Sequence, residues 1–349
     1  MNKELSTYLD LLRIGAAATV FLGHLSWMAV SGGFLWQAQP YGHSAVMVFF
    51  VLSGFVISHA ADVKERSLFD FSTARLARLY SVVLPAILLT LVCDRIGISH
   101  NPGVYDMERQ SDIAWRLLMG ALFLSQSWGH LSLLSNEPYW SLPYEFWYYA
   151  IFAAAVFLKG WPRMAALAVC GAFAGPAILL MAPIWAFGAL AYRLGKHVTL
   201  GQQAARGIWA LTGIGAVLVA LANNAPFQST SVFLPAIFSW LDFPLGALIA
   251  ANIHAASFLN FRLSRFHGPI AKIAGMTFAL YLFHLPLLHL AAAYLPAGWP
   301  APVRGVAEAV LVLAAVYVLS FVTEGQKQRW RGAIRRLLGG APEAGKQAA

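Results

Sequence analysis

The 349-residue chain is 59% hydrophobic and only 11% charged, with a formal net charge of +9. Soluble domains carry about a quarter charged residues, so this composition excludes one and points to an integral membrane protein. The two cysteines, Cys93 and Cys170, both fall in apolar runs, which excludes a disulfide framework and gives no ground for a metal site.

Apolar runs broken at charges, prolines and polar loops give ten candidate spans, near residues 9–30, 44–60, 78–98, 139–158, 163–181, 183–194, 207–223, 231–255, 270–295 and 303–323. Most approach the roughly 20 residues that a helix needs to cross the hydrocarbon. They do not alternate as the strands of a closed barrel must, so the expected fold is an all-α polytopic bundle of about ten transmembrane helices. The segment AWRLLMGALFLSQSW, 114–128, is short for a span and reads as a re-entrant or interfacial helix. With both termini in the cytoplasm, the inner side takes 20 of the 24 lysines and arginines, and the outer side only Arg95, Arg109, Arg116 and Arg304. That asymmetry sets the topology. It also accounts for the net charge, together with affinity for anionic lipid, without a nucleic acid partner. Residues 1–323 read as one membrane domain and 324–349 as a basic cytoplasmic tail, partly disordered, with no soluble domain appended. Within the tail, KQRWRGAIRRLL suits a surface helix with Trp330 at the headgroups.

In the first span, Arg13 and His24 stand eleven residues apart, about three turns, on one helix face and roughly 16 Å apart along the axis. Asp10 lies one turn before Arg13, where an i,i+3 ion pair can brace the guanidinium. These three also argue against a cleaved signal peptide. His24 is expected about six residues, roughly 9 Å, below the outer end. Intramembrane ionisable groups are costly and usually face a cavity, whereas Arg13 alone could be a plain topology anchor.

In FFVLSGFVISH, Ser53 and Gly54 allow close approach of another helix or of a ligand. Arg75 and Arg78, one turn apart at the inner mouth of the third span, suit positive-inside charge or a phosphate-rich ligand. In NEPYWSLPYEFWYY, Glu145 is expected at the depth of His24, as an orienting partner for a basic imidazole. In FALYLFHLPLL, Tyr281 and His284 share a face at mid-membrane, and Pro286 kinks the helix beside them.

Taken together, these stretches resemble the acyltransferase 3 family of bacterial membrane O-acyltransferases. The resemblance rests on YLDLLRIGAAATVFLGH with its Arg13 and His24 spacing, VMVFFVLSGF, the Arg75 and Arg78 pair, WSLPYE with Glu145, and LYLFHLP with Tyr281 and His284, in that order over residues 8–290. The chain departs from the family pattern at Leu11, Leu12 and Ser81, and has no C-terminal esterase-like domain of the kind some members carry.

The resemblance implies an acyl-CoA donor, acetyl-CoA by default, no permanently bound cofactor, and a hydroxylated carbohydrate or lipid-linked sugar acceptor. It implies a multi-pass protein of the bacterial inner membrane. His24 would then be the general base oriented by Glu145, as in triads on other folds. Arg13 braced by Asp10, Arg75 and Arg78 would hold the donor phosphates, with Ser53, Tyr281 and His284 along the substrate channel. A secondary transporter or a non-catalytic polysaccharide or lipid export partner would also carry intramembrane charge. The first lacks its best pointer, a repeated pair of broken helices in the two halves. The second has no use for a base and a carboxylate at one depth.

Overall fold

The computed structural model describes residues 1–339; the tail residues 340–349 lie outside that range. The chain forms an all-α bundle: α1 (Lys3–Leu25), α2 (Met28–Ser31), α3 (Gly42–Val63), α4 (Leu68–His100), α5 (Ile113–Ala121), α6 (Ser141–Phe157), α7 (Gly160–Ala174), α8 (Pro176–Leu194), α9 (Gln202–Ala222), α10 (Asp242–Ala256), α11 (His267–Ala274), α12 (Thr277–Tyr294), α13 (Ala301–Val322) and α14 (Lys327–Leu337). Among the described residues, strand structure is confined to β1 (Phe227–Gln228) paired antiparallel with β2 (Ile237–Phe238), in the loop between α9 and α10. Seven helical stretches, built on α1, α3, α4, α8, α9, α12 and α13, are long and apolar enough to cross a membrane. The spans expected near 139–158, 163–181 and 231–255 correspond to the shorter α6, α7 and α10, of 17, 15 and 15 residues. The protein is a multi-pass membrane protein.

Local chemistry sets the helix ends. The Asn2 side chain accepts from the Leu5 amide at 2.8 Å and starts α1. Ser67 accepts from the Asp70 amide at 3.0 Å and donates to the Asp70 carboxylate at 2.7 Å, a side-chain N-cap at the start of α4. Three boundaries differ from those expected. α1 stops at Leu25, and residues 28–31 form a separate turn. The break expected near 182 lies instead at Gly175, whose φ of 80° and ψ of 170° only glycine adopts freely; Pro176 then opens α8, which runs on through Pro183. α10 starts at Asp242 rather than 231, because the preceding stretch turns through the β1–β2 hairpin.

α12 is the hub. Leu282, Phe283, His284, Leu285 and Leu288 are all fully buried, and the helix packs on α1, α4 and α13. α3 and α8 approach backbone to backbone: a Cβ on Gly54 would collide with the Trp185 carbonyl, and one on Gly188 with the Val51 carbonyl. α9 buries only Ala205, and its Leu211, Ile214, Val217 and Leu218 face outward, as suits a lipid-facing helix. α5 is nine residues, roughly 14 Å, about half the hydrocarbon thickness. The backbone then turns at Phe123, at φ 56°, into a buried loop, so this segment does not cross. α14 packs on α4, with Arg335 Nη1 2.6 Å from Asp70 Oδ1.

Two α12 carbonyls without a helical donor find side-chain donors in the bundle. Pro286 has no N–H for the Leu282 carbonyl, and the buried Asn136 amide donates to it at 2.9 Å. The Ala292 carbonyl, in the last turn of α12 and so without an intrahelical donor, accepts from Arg304 Nη2 at 3.0 Å. Arg304 is therefore not a loop charge at the outer surface; it is buried, with Glu308 Oε1 3.1 Å from its Nε.

Candidate functional site

Two cavities open into the bundle, and we name its ends by the charge asymmetry. The inner cavity, about 60 Å³, is lined by Arg13, Ser53, Arg78, Glu145, Tyr149 and Tyr281, among others. The outer one, about 670 Å³, is lined by His24, Trp27, His43, Trp140, Tyr281 and His289, among others. Arg13 and His24 thus mark one cavity each, at either end of the same face of α1.

His24 is the penultimate residue of α1, and its partner is His284. His24 Nδ1 lies 3.1 Å from His284 Nε2 and 2.9 Å from the Val20 carbonyl, and His284 Nδ1 lies 2.8 Å from the Leu280 carbonyl. Carbonyls only accept, so protons are assigned to both Nδ1 atoms. His284 Nε2 then accepts from His24 Nδ1–H, and His24 Nε2 keeps the free lone pair. A proton gained at His24 Nε2 would put its charge on a ring already donating to His284 and to a carbonyl. Trp27 packs edge-on against His24, with ring centroids 4.9 Å apart.

Glu145 belongs to the inner cavity. It accepts a short hydrogen bond from the Tyr149 hydroxyl and one of 3.3 Å from Ser53, whose oxygen accepts from Trp185 Nε1 at 3.1 Å. Arg13 Nη1 is 3.4 Å from Asp10 Oδ1, the expected i,i+3 pair. Two guanidiniums and one carboxylate line this narrow cavity, and Asp10 beside Arg13 brings the local formal charge to zero. Arg75 stands apart from it, 2.6 Å from Glu65 Oε1 and with its guanidinium over the rings of Phe71 and Tyr149.

The structure therefore separates His24 from Glu145, expected at one depth. Tyr281 lies three residues, about 4.5 Å, from His284 along α12, and Glu145 lies four residues, about 6 Å, beyond Ser141 on α6. The Tyr281 hydroxyl donates to the Pro138 carbonyl at 2.9 Å and accepts from Ser141 at 2.8 Å, which levels the two helices. The pair is thus roughly 10 Å apart in depth. The expected depth of His24 assumed a helix running to residue 30; α1 ends at Leu25, which puts the imidazole in the last turn.

Several residues of the outer cavity have no signal in spacing. His43 Nε2 is 2.8 Å from Asp242 Oδ2, across 199 residues of sequence. Glu137 Oε2 is 2.8 Å from Arg109 Nη1, and His289 packs against Trp27 and Tyr105. Asn136, one residue before Glu137, is signalled indirectly: a proline inside a buried helix orphans a carbonyl that some amide must meet.

Compared with known proteins, residues 6–325 match the acyltransferase domain model of the acyltransferase 3 family. The chain belongs to that family. The chain is also similar over part of its length to an O-acetyl transferase of Shigella phage Sf6, 31% identical over 164 residues. That stretch is 43% of this chain and 46% of the phage protein, so the likeness spans about half the relative's length. No solved structure matches this acyltransferase 3 chain.

Proposed function

We propose that this acyltransferase 3 protein is an O-acyltransferase that moves an acyl group, acetyl by default, from acyl-CoA to a hydroxyl of an exported or cell-envelope carbohydrate. The observation that carries this reading is one helix with a phosphate-type cluster at one end and a tautomer-fixed histidine pair at the other, each at its own cavity. Arg13 and Arg78 hold the donor phosphates at the inner cavity, where Glu145 balances their charge. The acceptor hydroxyl sits in the outer cavity. His24 Nε2 takes its proton as the oxygen attacks the thioester carbonyl; the thiolate of CoA leaves and recovers the proton from the imidazolium. His284 assumes the orienting part that sequence reading gave to Glu145.

The phage relative is named an O-acetyl transferase, which supports acetyl as the transferred group. The charge asymmetry supports the inner membrane of a bacterium, with both termini in the cytoplasm. The test is acyl transfer from labelled acetyl-CoA by the protein in membrane vesicles of a producing strain, with a His24→Ala strain as control. No labelled ester above that control would overturn the reading.

A further inference from the structure

We propose that His43, held by Asp242, and Trp140 form a pyranose-binding subsite in the outer cavity, separate from the His24–His284 pair. The inference rests on the reading that this cavity receives the hydroxylated acceptor.

Asp242 is fully buried at the start of α10, and both its oxygens are engaged. Oδ1 accepts from the Asn223 amide at 2.9 Å, and Oδ2 accepts from the Ser239 amide at 3.0 Å and from His43 Nε2 at 2.8 Å. A carboxylate only accepts, so His43 Nε2 carries a proton. The other ring nitrogen, Nδ1, is buried and has no protein partner. The side chain is 4% exposed and lines the cavity. A buried polar atom without a partner is destabilising, and here a hydroxyl in the cavity can supply the missing donor.

The neighbouring surface has the other half of sugar chemistry. The Trp140 ring lies 17° from the His43 plane, centroids 6.1 Å apart, and also lines the cavity. A pyranose presents an apolar C–H face to an aromatic ring and hydroxyls along its edge. His43 is the second residue of α3 and His24 the penultimate residue of α1, both at the outer end of the bundle. A ring whose one hydroxyl meets His24 Nε2 and whose other donates to His43 Nδ1 is fixed in orientation. His43 is thus a positioning residue that selects which hydroxyl is acylated.

The experiment is saturation-transfer-difference NMR on the full-length protein in detergent, with methyl α-D-glucopyranoside and methyl α-D-galactopyranoside, and with cyclohexanol as a ring lacking the hydroxyl pattern. Wild type should give a saturable signal with at least one pyranoside and none with cyclohexanol. His43→Phe, which keeps the ring and removes both nitrogens, should weaken affinity at least about fivefold, the worth of one hydrogen bond. The double variant His43→Phe, Asp242→Asn leaves no unpaired buried charge and should show the same loss. Trp140→Leu, which leaves the His43–Asp242 pair intact, should match it.

Unchanged affinity in any of these that elutes as a folded monodisperse species would overturn the proposal, as would no saturable pyranoside signal from wild type. Acyl transfer is measured separately. Pyranoside binding without transfer sinks the enzyme reading and leaves the subsite standing; transfer with unaltered pyranoside affinity in the variants does the reverse.

Discussion

His24 and His284, 260 residues apart in sequence, meet ring to ring at 3.1 Å, and each is aimed by the carbonyl four residues earlier on its own helix, Val20 and Leu280. On the proposed function, two helices then contribute one proton-handling unit. His24→Ala is expected to lower turnover by roughly two to four orders of magnitude, the usual worth of a positioned base. His284→Ala should lose less, and the double variant should be little worse than His24→Ala. Turnover per folded, donor-binding molecule checks this; a fully additive double variant would separate the two histidines.

Glu145 and His24 line different cavities, so their contributions should be independent. The losses in Glu145→Gln and His24→Ala are expected to multiply in the double variant. Loss in the double no greater than in His24→Ala alone would restore the direct partnership that the structure does not show.

Arg75 and Arg78 should sort by location. Arg78→Ala is expected to raise KM for acyl-CoA with a smaller change in kcat, the signature of lost uniform binding. Arg75→Ala instead strands the Glu65 carboxylate, whose side chain is 10% exposed, and should cost about 3 kcal/mol of stability. Adding Glu65→Gln should recover much of that. Thermal unfolding and donor titration, run side by side, distinguish the two outcomes; equal effects on KM would place Arg75 with the donor as well.

The α3–α8 seam leaves no room for a methyl group at Gly54 or Gly188. Either Gly→Ala change is expected to destabilise the protein by roughly 1 to 3 kcal/mol through overpacking. Detergent thermostability of Gly54→Ala and Gly188→Ala reads this, and wild-type stability in both would mean that the seam is loose.

Topology follows from charge. Reporter fusions at Ser67, Gly201 and Phe266 should read cytoplasmic, and those at Gly32, Asn224 and Gly298 exterior. An exterior signal at Gly201 would invert the α7–α8 hairpin and everything after it.

The bundle was legible because lipid imposes long apolar runs, and the Arg13 and His24 face followed from helical period alone. What was not legible depended on single residues inside those runs. Gly175 breaks a stretch with no polar residue near it, through a backbone conformation that hydropathy does not record. The depth expected for Glu145 relative to His24 fails at the end of α1: the five residues beyond Leu25 look like a continuation of that helix, but the chain breaks at Ser26 and Trp27 before the separate α2. The His24–His284 and His43–Asp242 pairs join helices far apart in sequence, and helical spacing constrains a residue's own face but not its neighbour across a bundle.

Among the described residues, Tyr281 is the one that lines both cavities, and its hydroxyl is tied to Pro138 and Ser141. Openings toward both sides of a membrane make a protein a potential short circuit, since a cell's ion gradients drain through any continuous wet path. On the proposed function the phenol ring and its two anchors are then an insulator as much as a wall: an acyl group would have to pass where a hydrated sodium ion or proton wire does not. Tyr281→Ala should for that reason be read not only by turnover but by the leak current of the protein in a planar bilayer, where the wild type is expected to be silent.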